Sequence, residues 1–321
     1  MNKINAPVYL EDKLEEVQES GRLDYRSSTL PTWCPGCGYF SIVEAVGAAM
    51  NALNIDQKDT VVVSGIGCSS RFPHYMKTYG FHGLHGRPLP IACGVKSRRP
   101  DLDVFVVTGD GDCCAIGTAH WIHAIRYNMD ITVLLFDNNI YGLTKAQSSP
   151  TTPIGSASNS HPTGVPIAPI NPLEVTLGIA NASFVAQTLD WNPPHLYSTI
   201  KAAHEHRGLS FVRILQRCPH FMKDRWDELQ QDSSNVVLLN HENGIPVDEA
   251  VHRMFPNQTE HDPTDLGGGR HLATGSEGIP MGLLYHNPAS GCYDGVTNEG
   301  LGMAADDKMT ALDREFDRFS L

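Results

Sequence analysis

Two oxygen-bearing side chains, Asp110 and Asn138, each follow a strand-like apolar run, VFVVTG or ITVLLF, and stand 28 residues apart. Neighbouring strands of a parallel sheet end at one edge, where open α/β sheets bind ligands. Mg²⁺ prefers oxygen ligands in near-octahedral geometry, and it commonly bridges phosphate oxygens. We therefore expect Asp110, Asn138 and the backbone carbonyl of Ile140 to hold a Mg²⁺ ion that bridges a bound diphosphate.

Glycine-rich segments beside these ligands add backbone contacts for a diphosphate. Gly109 and Gly111 give a tight turn around Asp110, and a second segment, 142–144, is close enough to reach phosphate. The candidate cofactor-binding residues are Gly65, Ile66, Gly67, Cys68, Ser69, His85, Gly109, Asp110, Gly111, Asp112, Asn138, Tyr141, Gly142, Leu143 and Thr144.

Two other interpretations of these glycines stay open. The sequence GDGD alone also occurs as a surface turn or a calcium loop. The segment GIGCSS could belong to a dinucleotide fingerprint, but Ser70 stands in place of the third glycine. No acidic residue is obvious about 20 residues later, where that fingerprint needs one.

Four cysteines, Cys34, Cys37, Cys68 and Cys218, match the ligand count of a [4Fe–4S] cluster. Cys34 and Cys37 form a CxxC turn, Cys68 follows the first strand-like run, and Cys218 follows the last. Because parallel strands share a carboxyl edge, Cys68 and Cys218 are expected to meet there. The sequence therefore predicts an iron–sulfur cluster close to the diphosphate site.

Zinc and thiol redox chemistry are the alternatives for these cysteines. A structural zinc site usually has two CxxC or CxxC/HxxxH pairs, and the chain has one. A redox CxxC normally opens a helix after a thioredoxin-like strand, which this one does not. The remaining cysteines are expected to be structural: Cys93, Cys113, Cys114 and Cys292.

The elements around these residues have the pattern of a doubly wound, mostly parallel α/β sheet. Strands are predicted at 60–64, 104–109, 131–136, 184–187 and 211–215. Helices are predicted at 38–54, 91–98, 114–128, 173–181 and 194–206. The segment 147–172, rich in Pro, Ser, Thr and Gly, is predicted to be a long loop, which is usually functional or disordered.

Composition limits the class of protein. The chain has 321 residues, 41% apolar residues, eight cysteines and a net charge of −12. No apolar run is long enough for a membrane helix, and the N-terminus has no secretory core, so a cytoplasmic location is expected. The acidic balance disfavours nucleic acid and anionic membranes as partners. We predict an N-terminal lead-in at 1–30, an α/β domain at 31–221 and an irregular C-terminal extension at 222–321.

The strand–GDG–helix–strand–DNN arrangement resembles the thiamine diphosphate (ThDP) motif. The wider set WCPGCG, GIGCSS, HGLHGR, VVTGDGD, DNNIYGLTKAQSSPT and QRCP resembles the β subunits of 2-oxoacid:ferredoxin oxidoreductases, over about 33–220. The form GLTKAQ…SPT is similar to the 2-oxoglutarate type. Ala146 and Ser148 stand where that family has Gly and Tyr, so pyruvate or broad 2-oxoacid specificity stays open.

The resemblance implies a ThDP-binding fold and a reaction. The reaction is the coenzyme A-dependent oxidative decarboxylation of 2-oxoglutarate to succinyl-CoA and CO₂, with electrons passed through a [4Fe–4S] cluster to ferredoxin. The reverse reductive carboxylation is also open. A non-oxidative ThDP decarboxylase or synthase half with structural zinc is the alternative.

The resemblance also implies partners and further site residues. An α subunit would supply the glutamate that activates ThDP, in an αβ heterodimer that forms an (αβ)₂ assembly. Arg71 and Arg87 are candidates for binding the substrate carboxylates or the diphosphate, with surface salt bridges as the alternative. His85 is a candidate for contact with the cofactor and the substrate.

Overall fold

A nine-stranded sheet is the centre of the molecule in the computed structural model, which describes residues 24–242, 244–294 and 305–319. Its strand order is β10-β9-β11-β7-β8-β4-β3-β1-β2, and a separate two-stranded ribbon is formed by β5 and β6. The strands are β1 Thr60–Ser64, β2 Tyr79–His82, β3 Asp103–Gly109, β4 Ile131–Asp137, β5 Ile140–Tyr141, β6 Gln147–Ser148, β7 Phe184–Leu189, β8 Leu209–Leu215, β9 Val236–Asn240, β10 Asn257–Glu260 and β11 Ile279–His286.

Helices cover both faces of this sheet. One face packs against the first and fifth helices, and the other against the second, third, fourth and eighth. The helices are α1 Tyr39–Ala52, α2 Pro88–Arg98, α3 Thr118–Tyr127, α4 Pro172–Gly178, α5 Pro193–Glu205, α6 Asp227–Gln231, α7 Glu249–Met254, α8 Leu266–Ala273 and α9 Ala305–Phe319.

The continuous apolar runs of the central strands explain this arrangement. Every residue of β1, β4 and β7 is buried, as a strand covered on two faces requires. Strands β1, β3, β4, β8 and β7 pair in parallel in that order. The predicted fold class, a doubly wound and mostly parallel α/β sheet, is confirmed.

Side-chain caps set the starts of two helices that follow the long loop. Asn171 and Asn192 each accept a backbone hydrogen bond at the first turn of α4 and α5, and each is followed directly by proline. Proline at the first helical position has a preset φ and lacks only a donor that would have no helical partner. The predicted helix positions agree with these starts to within about two residues, the usual uncertainty of helix ends.

The prediction that 222–321 is irregular is wrong for most of its described part. Strands β9, β10 and β11 extend the sheet, with β11 antiparallel to β7 and parallel to β9. Strand β11 is hard to predict from the sequence because it contains Pro280 and Gly282, and both residue types are unusual inside strands. Gly282 has φ 138°, and a Cβ there would lie 2.8 Å from Cβ of Leu239.

Other expectations about the chain can be placed on the structure. Residues 1–23 of the predicted lead-in lie outside the described residues. The predicted loop at 147–172 has only the two residues of β6 at its start and Pro172 of α4 at its end, and the rest has no helix or strand. Across the described ranges, no helix combines the length and apolar character needed to span a membrane.

The two edges of the sheet differ in character. All four residues of β2, at one edge, are exposed, and Tyr79 and Phe81 keep 64% and 49% of their surface. Strand β10, at the other edge, has the polar sequence NQTE.

Candidate active site

The first candidate cavity lies at the carboxyl ends of β3 and β4. These strands pair in parallel with Gly109 opposite Phe136, so Asp110 and Asn138 emerge near each other. Both line a cavity of about 220 Å³. All predicted cofactor-binding residues except Gly65 line it, and the full lining is Tyr39, Ile66, Gly67, Cys68, Ser69, His85, Gly109, Asp110, Gly111, Asp112, Asn138, Ile140, Tyr141, Gly142, Leu143 and Thr144.

Asp110 is a buried carboxylate that a cation would stabilise. It is 2% exposed. Burial, reinforced by the nearby Asp137 carboxylate, raises the pKa of Asp110 to about 7. A bound divalent cation would favour the ionised form and offset this cost.

The oxygen atoms beside Asp110 complete a donor set that suits Mg²⁺. Asn138 is buried; its Oδ1 accepts a hydrogen bond from the Ile140 N–H at 3.2 Å, and its Nδ2 donates to Gln216 Oε1 at 2.9 Å. The turn 138–140 is therefore fixed around the amide oxygen. A carboxylate, an amide oxygen and a backbone carbonyl are hard oxygen donors, so the residues present fit a magnesium ion.

Asp112 is a structural centre of the cavity wall. Its carboxylate accepts hydrogen bonds from the Ile66 N–H at 3.0 Å, the Gly86 N–H at 2.7 Å and the Thr108 hydroxyl at 2.7 Å. His85 Nδ1 lies 2.7 Å from the same carboxylate. Asp112 thus ties the loops after β1 and β2 to the end of β3 and fixes the His85 ring beside the cavity.

Two glycines are required by close packing in this wall. A Cβ at Gly65 would lie 2.1 Å from Asp112 Oδ2, which explains why Gly65 supports the wall without lining the cavity. A Cβ at Gly111 would lie 2.2 Å from the ring of Tyr141, whose hydroxyl donates to the Gly111 carbonyl at 2.9 Å. Tyr141 therefore covers the Gly-Asp-Gly turn.

The second cavity, of about 230 Å³, brings together all four predicted cluster ligands, Cys34, Cys37, Cys68 and Cys218. Burial, with smaller contributions from neighbouring thiols, raises the pKa of Cys37 to about 12 and that of Cys68 to about 11. Metal binding deprotonates thiols and would offset this burial cost. Four thiols around one cavity fit a [4Fe–4S] cluster.

Within the described ranges, no three His, Cys, Asp or Glu side chains are placed to hold one metal ion. The [4Fe–4S] cluster and the Mg²⁺ ion stay predictions.

The CxxC turn is held by an ion pair between half-buried Arg217 and buried Asp190. The Cys37 N–H donates to the Cys34 carbonyl at 3.0 Å. Gly38 packs directly on Asp190, because a Cβ at Gly38 would lie 1.2 Å from Asp190 Oδ2. Arg217 Nε donates to Asp190 Oδ1 at 2.8 Å. Arg217 thus holds Asp190 in place against Gly38, and this contact links the segment before Cys218 to the segment after Cys37.

The two cavities share one wall. Tyr39, Cys68, Asn138, Gly142 and Leu143 line both of them. A Cβ at Gly142 would lie 3.5 Å from Cys68 Sγ and 4.0 Å from Cys218 Sγ. A single glycine backbone therefore separates the candidate phosphate contacts from two of the candidate iron ligands.

The candidate substrate residues are placed differently. His85 lines the first cavity, and Arg71 lines the second. Arg87 lines neither of these two cavities, and its guanidinium donates to the Ile116 carbonyl at 3.0 Å. A substrate contact for Arg87 stays a prediction.

Several supporting residues of the site lie inside the family motifs, but sequence reasoning assigned them no role. Trp33 Nε1 donates to the Cys68 carbonyl at 2.8 Å and so holds the loop after β1. Thr151, from the long loop, donates to Asp110, and Gln216 binds Asn138. Tyr39 lines both cavities and stands directly after WCPGCG. Membership of WCPGCG, DNNIYGLTKAQSSPT and QRCP was the available signal for the other three residues, and only the fold shows what they contact.

The chain matches a known family over a region that includes Asp110, Asn138 and Cys68 but not Cys34, Cys37 or Cys218. Residues 64–214 match the model described as thiamine pyrophosphate enzyme, C-terminal TPP binding domain. The 2-oxoglutarate oxidoreductase subunit KorB of Mycobacterium tuberculosis is 44% identical over 224 residues, which are 70% of this chain and 60% of that protein. The match therefore spans less than two thirds of the Mycobacterium protein.

Two further matches cover a larger share of the matched protein. The 2-oxoacid:ferredoxin oxidoreductase 2 subunit beta of Aeropyrum pernix is 37% identical over 274 residues, 83% of each chain. A solved structure of 2-oxoglutarate:ferredoxin oxidoreductase from Magnetococcus marinus, with 2-oxoglutarate, coenzyme A and succinyl-CoA bound, superposes with a TM-score of 0.76. That match is 38% identical and covers 90% of this chain and 94% of the other.

Proposed function

Because the chain belongs to the β subunits of the 2-oxoacid:ferredoxin oxidoreductases, we propose that it works with an α subunit as a 2-oxoglutarate:ferredoxin oxidoreductase. The proposed reaction converts 2-oxoglutarate and coenzyme A to succinyl-CoA and CO₂, and electrons leave through a [4Fe–4S] cluster to ferredoxin. The reverse reductive carboxylation uses the same site. The assembly that we propose is (αβ)₂.

The shared wall between the two cavities is the observation that carries this proposal. One cavity has buried oxygen donors around Asp110, and the other has four thiols. A protein that only binds ThDP has no need for four thiols behind the cofactor. An enzyme that removes electrons from a ThDP-bound substrate needs an acceptor at close range, and the wall at Gly142 provides that proximity.

Each part of the chain has a role in this proposal. Asp110, Asn138 and the Ile140 carbonyl hold Mg²⁺, and the backbone at 142–144 contacts the diphosphate. When bound, ThDP would supply the nucleophilic carbon for the 2-oxoacid, and a [4Fe–4S] cluster held by the four cysteines would accept electrons one at a time.

His85 and Arg71 are the proposed substrate contacts. Asp112 fixes the His85 ring through Nδ1, so Nε2 is the atom that we expect to contact the cofactor or the substrate. Arg71 carries a positive charge beside Cys68 and opposes the burial-raised pKa of that thiol. The same charge suits an anionic substrate that reaches the wall between the two cavities.

The proposed α subunit comes from the family to which the chain belongs, and the lining of the Asp110 cavity agrees with it. The carboxylates of this lining are Asp110 and Asp112, and no glutamate appears among the described residues that line the cavity. Asp110 is the proposed metal ligand, and Asp112 is occupied by four donors. A glutamate from the α subunit is therefore the proposed activator of the ThDP aminopyrimidine ring.

The choice of 2-oxoglutarate rests on two matches. The Mycobacterium relative is named for 2-oxoglutarate, and the Magnetococcus structure contains it. Substrate-dependent dye reduction by the αβ complex tests this choice directly. The rate of dye reduction with 2-oxoglutarate should exceed the rate with pyruvate. The opposite order would contradict 2-oxoglutarate and identify pyruvate as the preferred substrate.

Paired variants of the αβ complex test the two cavities separately. Asp110→Asn should weaken Mg²⁺-dependent ThDP binding at least about 100-fold, since loss of an outer-shell partner alone costs about 10–100-fold. Its iron content should stay unchanged. Cys218→Ser should lose iron and visible absorption but keep ThDP. Unchanged ThDP affinity in Asp110→Asn, or zinc in place of iron in the parent complex, would refute the assignment.

A further inference from the structure

The long loop after β6 begins with a buried segment, Ser149–Thr152, that lies against the candidate magnesium turn. Thr151 is 3% exposed, and Ser149 and Thr152 are also buried. Thr152 Oγ1 donates to the Asn139 carbonyl at 2.6 Å and accepts from the Ser149 N–H at 2.8 Å. The start of this loop is therefore fixed to the turn that follows β4.

Thr151 makes three contacts that converge on the candidate metal site. Its hydroxyl oxygen lies 2.9 Å from Asp110 Oδ2 and 2.8 Å from Asp137 Oδ1. Asn139 Nδ2 donates to the same oxygen at 3.1 Å. A hydroxyl has one hydrogen and two acceptor positions, so Thr151 donates to one carboxylate at a time.

The two carboxylates differ in their other partners. Arg213 donates to Asp137 Oδ2 from Nε at 2.8 Å and from Nη2 at 2.6 Å, which pairs that carboxylate with a cation. Asp110 has no ion pair with a described cationic side chain. The Thr151 hydroxyl consequently matters most for Asp110, whose orientation is otherwise set by its backbone and by Ser149.

We propose that Thr151 is a positioning residue for the Mg²⁺–diphosphate site. Its hydroxyl donates to Asp110 and holds that carboxylate in the orientation that presents it to the cation. This inference rests on the proposed function, because it assigns Asp110 to Mg²⁺. It gives the start of the long loop a function that the sequence alone leaves open.

Two substitutions separate the hydroxyl from the shape of the side chain. Thr151→Val keeps the branched shape and removes the hydroxyl, and Thr151→Ser keeps the hydroxyl and removes a methyl group. Thr176→Val is the matched control, because Thr176 is a buried threonine of α4 whose hydroxyl donates to the Pro172 carbonyl. The control measures the general cost of deleting a buried hydroxyl.

The measurement is ThDP binding to the αβ complex as a function of Mg²⁺ concentration, by titration calorimetry after removal of bound cofactor. Thr151→Val should require about 10- to 100-fold more Mg²⁺ for half-maximal binding, the range for loss of an outer-shell partner. Thr151→Ser should stay within a few-fold of the parent. Iron content should not change in either variant.

The outcomes separate this inference from the proposed function. If Asp110→Asn abolishes Mg²⁺-dependent binding but Thr151→Val binds like the parent, the positioning role is wrong and the site assignment stands. If Asp110→Asn also binds like the parent, the metal assignment itself fails. If Thr151→Val and Thr176→Val weaken Mg²⁺-dependent ThDP binding equally, the Thr151 hydroxyl has only a packing role, and the inference is overturned.

Discussion

The two ends of the central parallel strands differ in how their buried polar groups are paired. At the amino end, Ser183 Oγ donates to Asn128 Oδ1 at 2.5 Å, and the Leu209 N–H donates to the same oxygen at 2.7 Å. His206 Nε2 lies 2.8 Å from Ser183 Oγ, which closes the cluster. At the carboxyl end, Asp110 is buried beside a cavity with its pKa raised to about 7. The amino end satisfies its polar groups internally, and the carboxyl end keeps a buried acid with a raised pKa beside a cavity.

Left-handed backbone conformations occur at both ends. Asn128 and Asn181, near the amino end, and Asn139, after β4, have φ 50°, 75° and 59°, and asparagine tolerates this left-handed region. Lys145 and Ala146, in the hairpin beside the cavities, have φ 71° and 73°. Strain at residues that disfavour this region is typical of sites held for function. Variants at the amino end should change stability, whereas variants of the residues that line the first cavity should change binding.

The largest effect is expected from Asn128→Ala at the amino end. The substitution leaves the Leu209 N–H and the Ser183 hydroxyl without their acceptor in the interior. Since each such group costs about 1–3 kcal/mol, we expect a loss of about 3 kcal/mol in urea unfolding beyond that of the control. The matched control is Asn181→Ala, at an exposed left-handed asparagine, which carries the same cost of about 1–2 kcal/mol for a left-handed alanine. ThDP and iron contents should stay at parent values, and their loss would break the comparison.

A smaller effect is expected from acid. Burial, and then the neighbouring His286, lower the pKa of His206 from 6.5 to about 4. The folded state therefore favours neutral His206, and its contribution to stability is present above pH 6.5 and is lost as pH falls towards 4. Between pH 7 and pH 5 this histidine should account for about 2 kcal/mol of lost unfolding free energy.

His206→Gln tests this dependence, with exposed His123→Gln as the control. Urea unfolding of His206→Gln should vary less between pH 7 and pH 5 than that of the parent, whereas the control should follow the parent. Part of the dependence should remain, because burial also lowers the pKa of His195 to about 3. Identical pH profiles for His206→Gln and the parent would contradict the assigned protonation state.

The smallest effect is expected from Ala146→Gly in the strained hairpin. A left-handed alanine costs about 1–2 kcal/mol, and glycine returns part of this as unfolded-chain entropy. We expect a net gain of about 0.5–1 kcal/mol in unfolding free energy. The same substitution at Ala202 of the helix α5 should instead cost about 1 kcal/mol. A loss at Ala146 would mean that this hairpin is not strained.

The first cavity could be predicted from the sequence because its residues are local. Most of its lining comes from two short segments, 109–112 and 138–144, each at the end of a strand. The motifs encode both the residue types and the turns that present them. The family resemblance that they carry is confirmed by the relatives and the solved structure.

The supports of the site could not be predicted, because they act across the chain. Thr151 is 41 residues from Asp110, and Arg217 is 27 residues from Asp190. Thr151 lies in DNNIYGLTKAQSSPT and Arg217 in QRCP, but the spacing within these motifs does not indicate a contact with Asp110 or Asp190. The run VVLL of β9 was a sufficient signal for a strand, but Pro280 and Gly282 concealed its partner β11. Both segments form strands because they pair with strands that are distant in the sequence.

The bare edge at β2 has a practical consequence for anyone who produces this chain. An open row of backbone donors and acceptors with aromatic side chains is a template for intermolecular strand pairing. Tyr79 and Phe81 lie on that row. Among the described residues, this edge is where isolated copies of the chain are expected to pair with one another and aggregate.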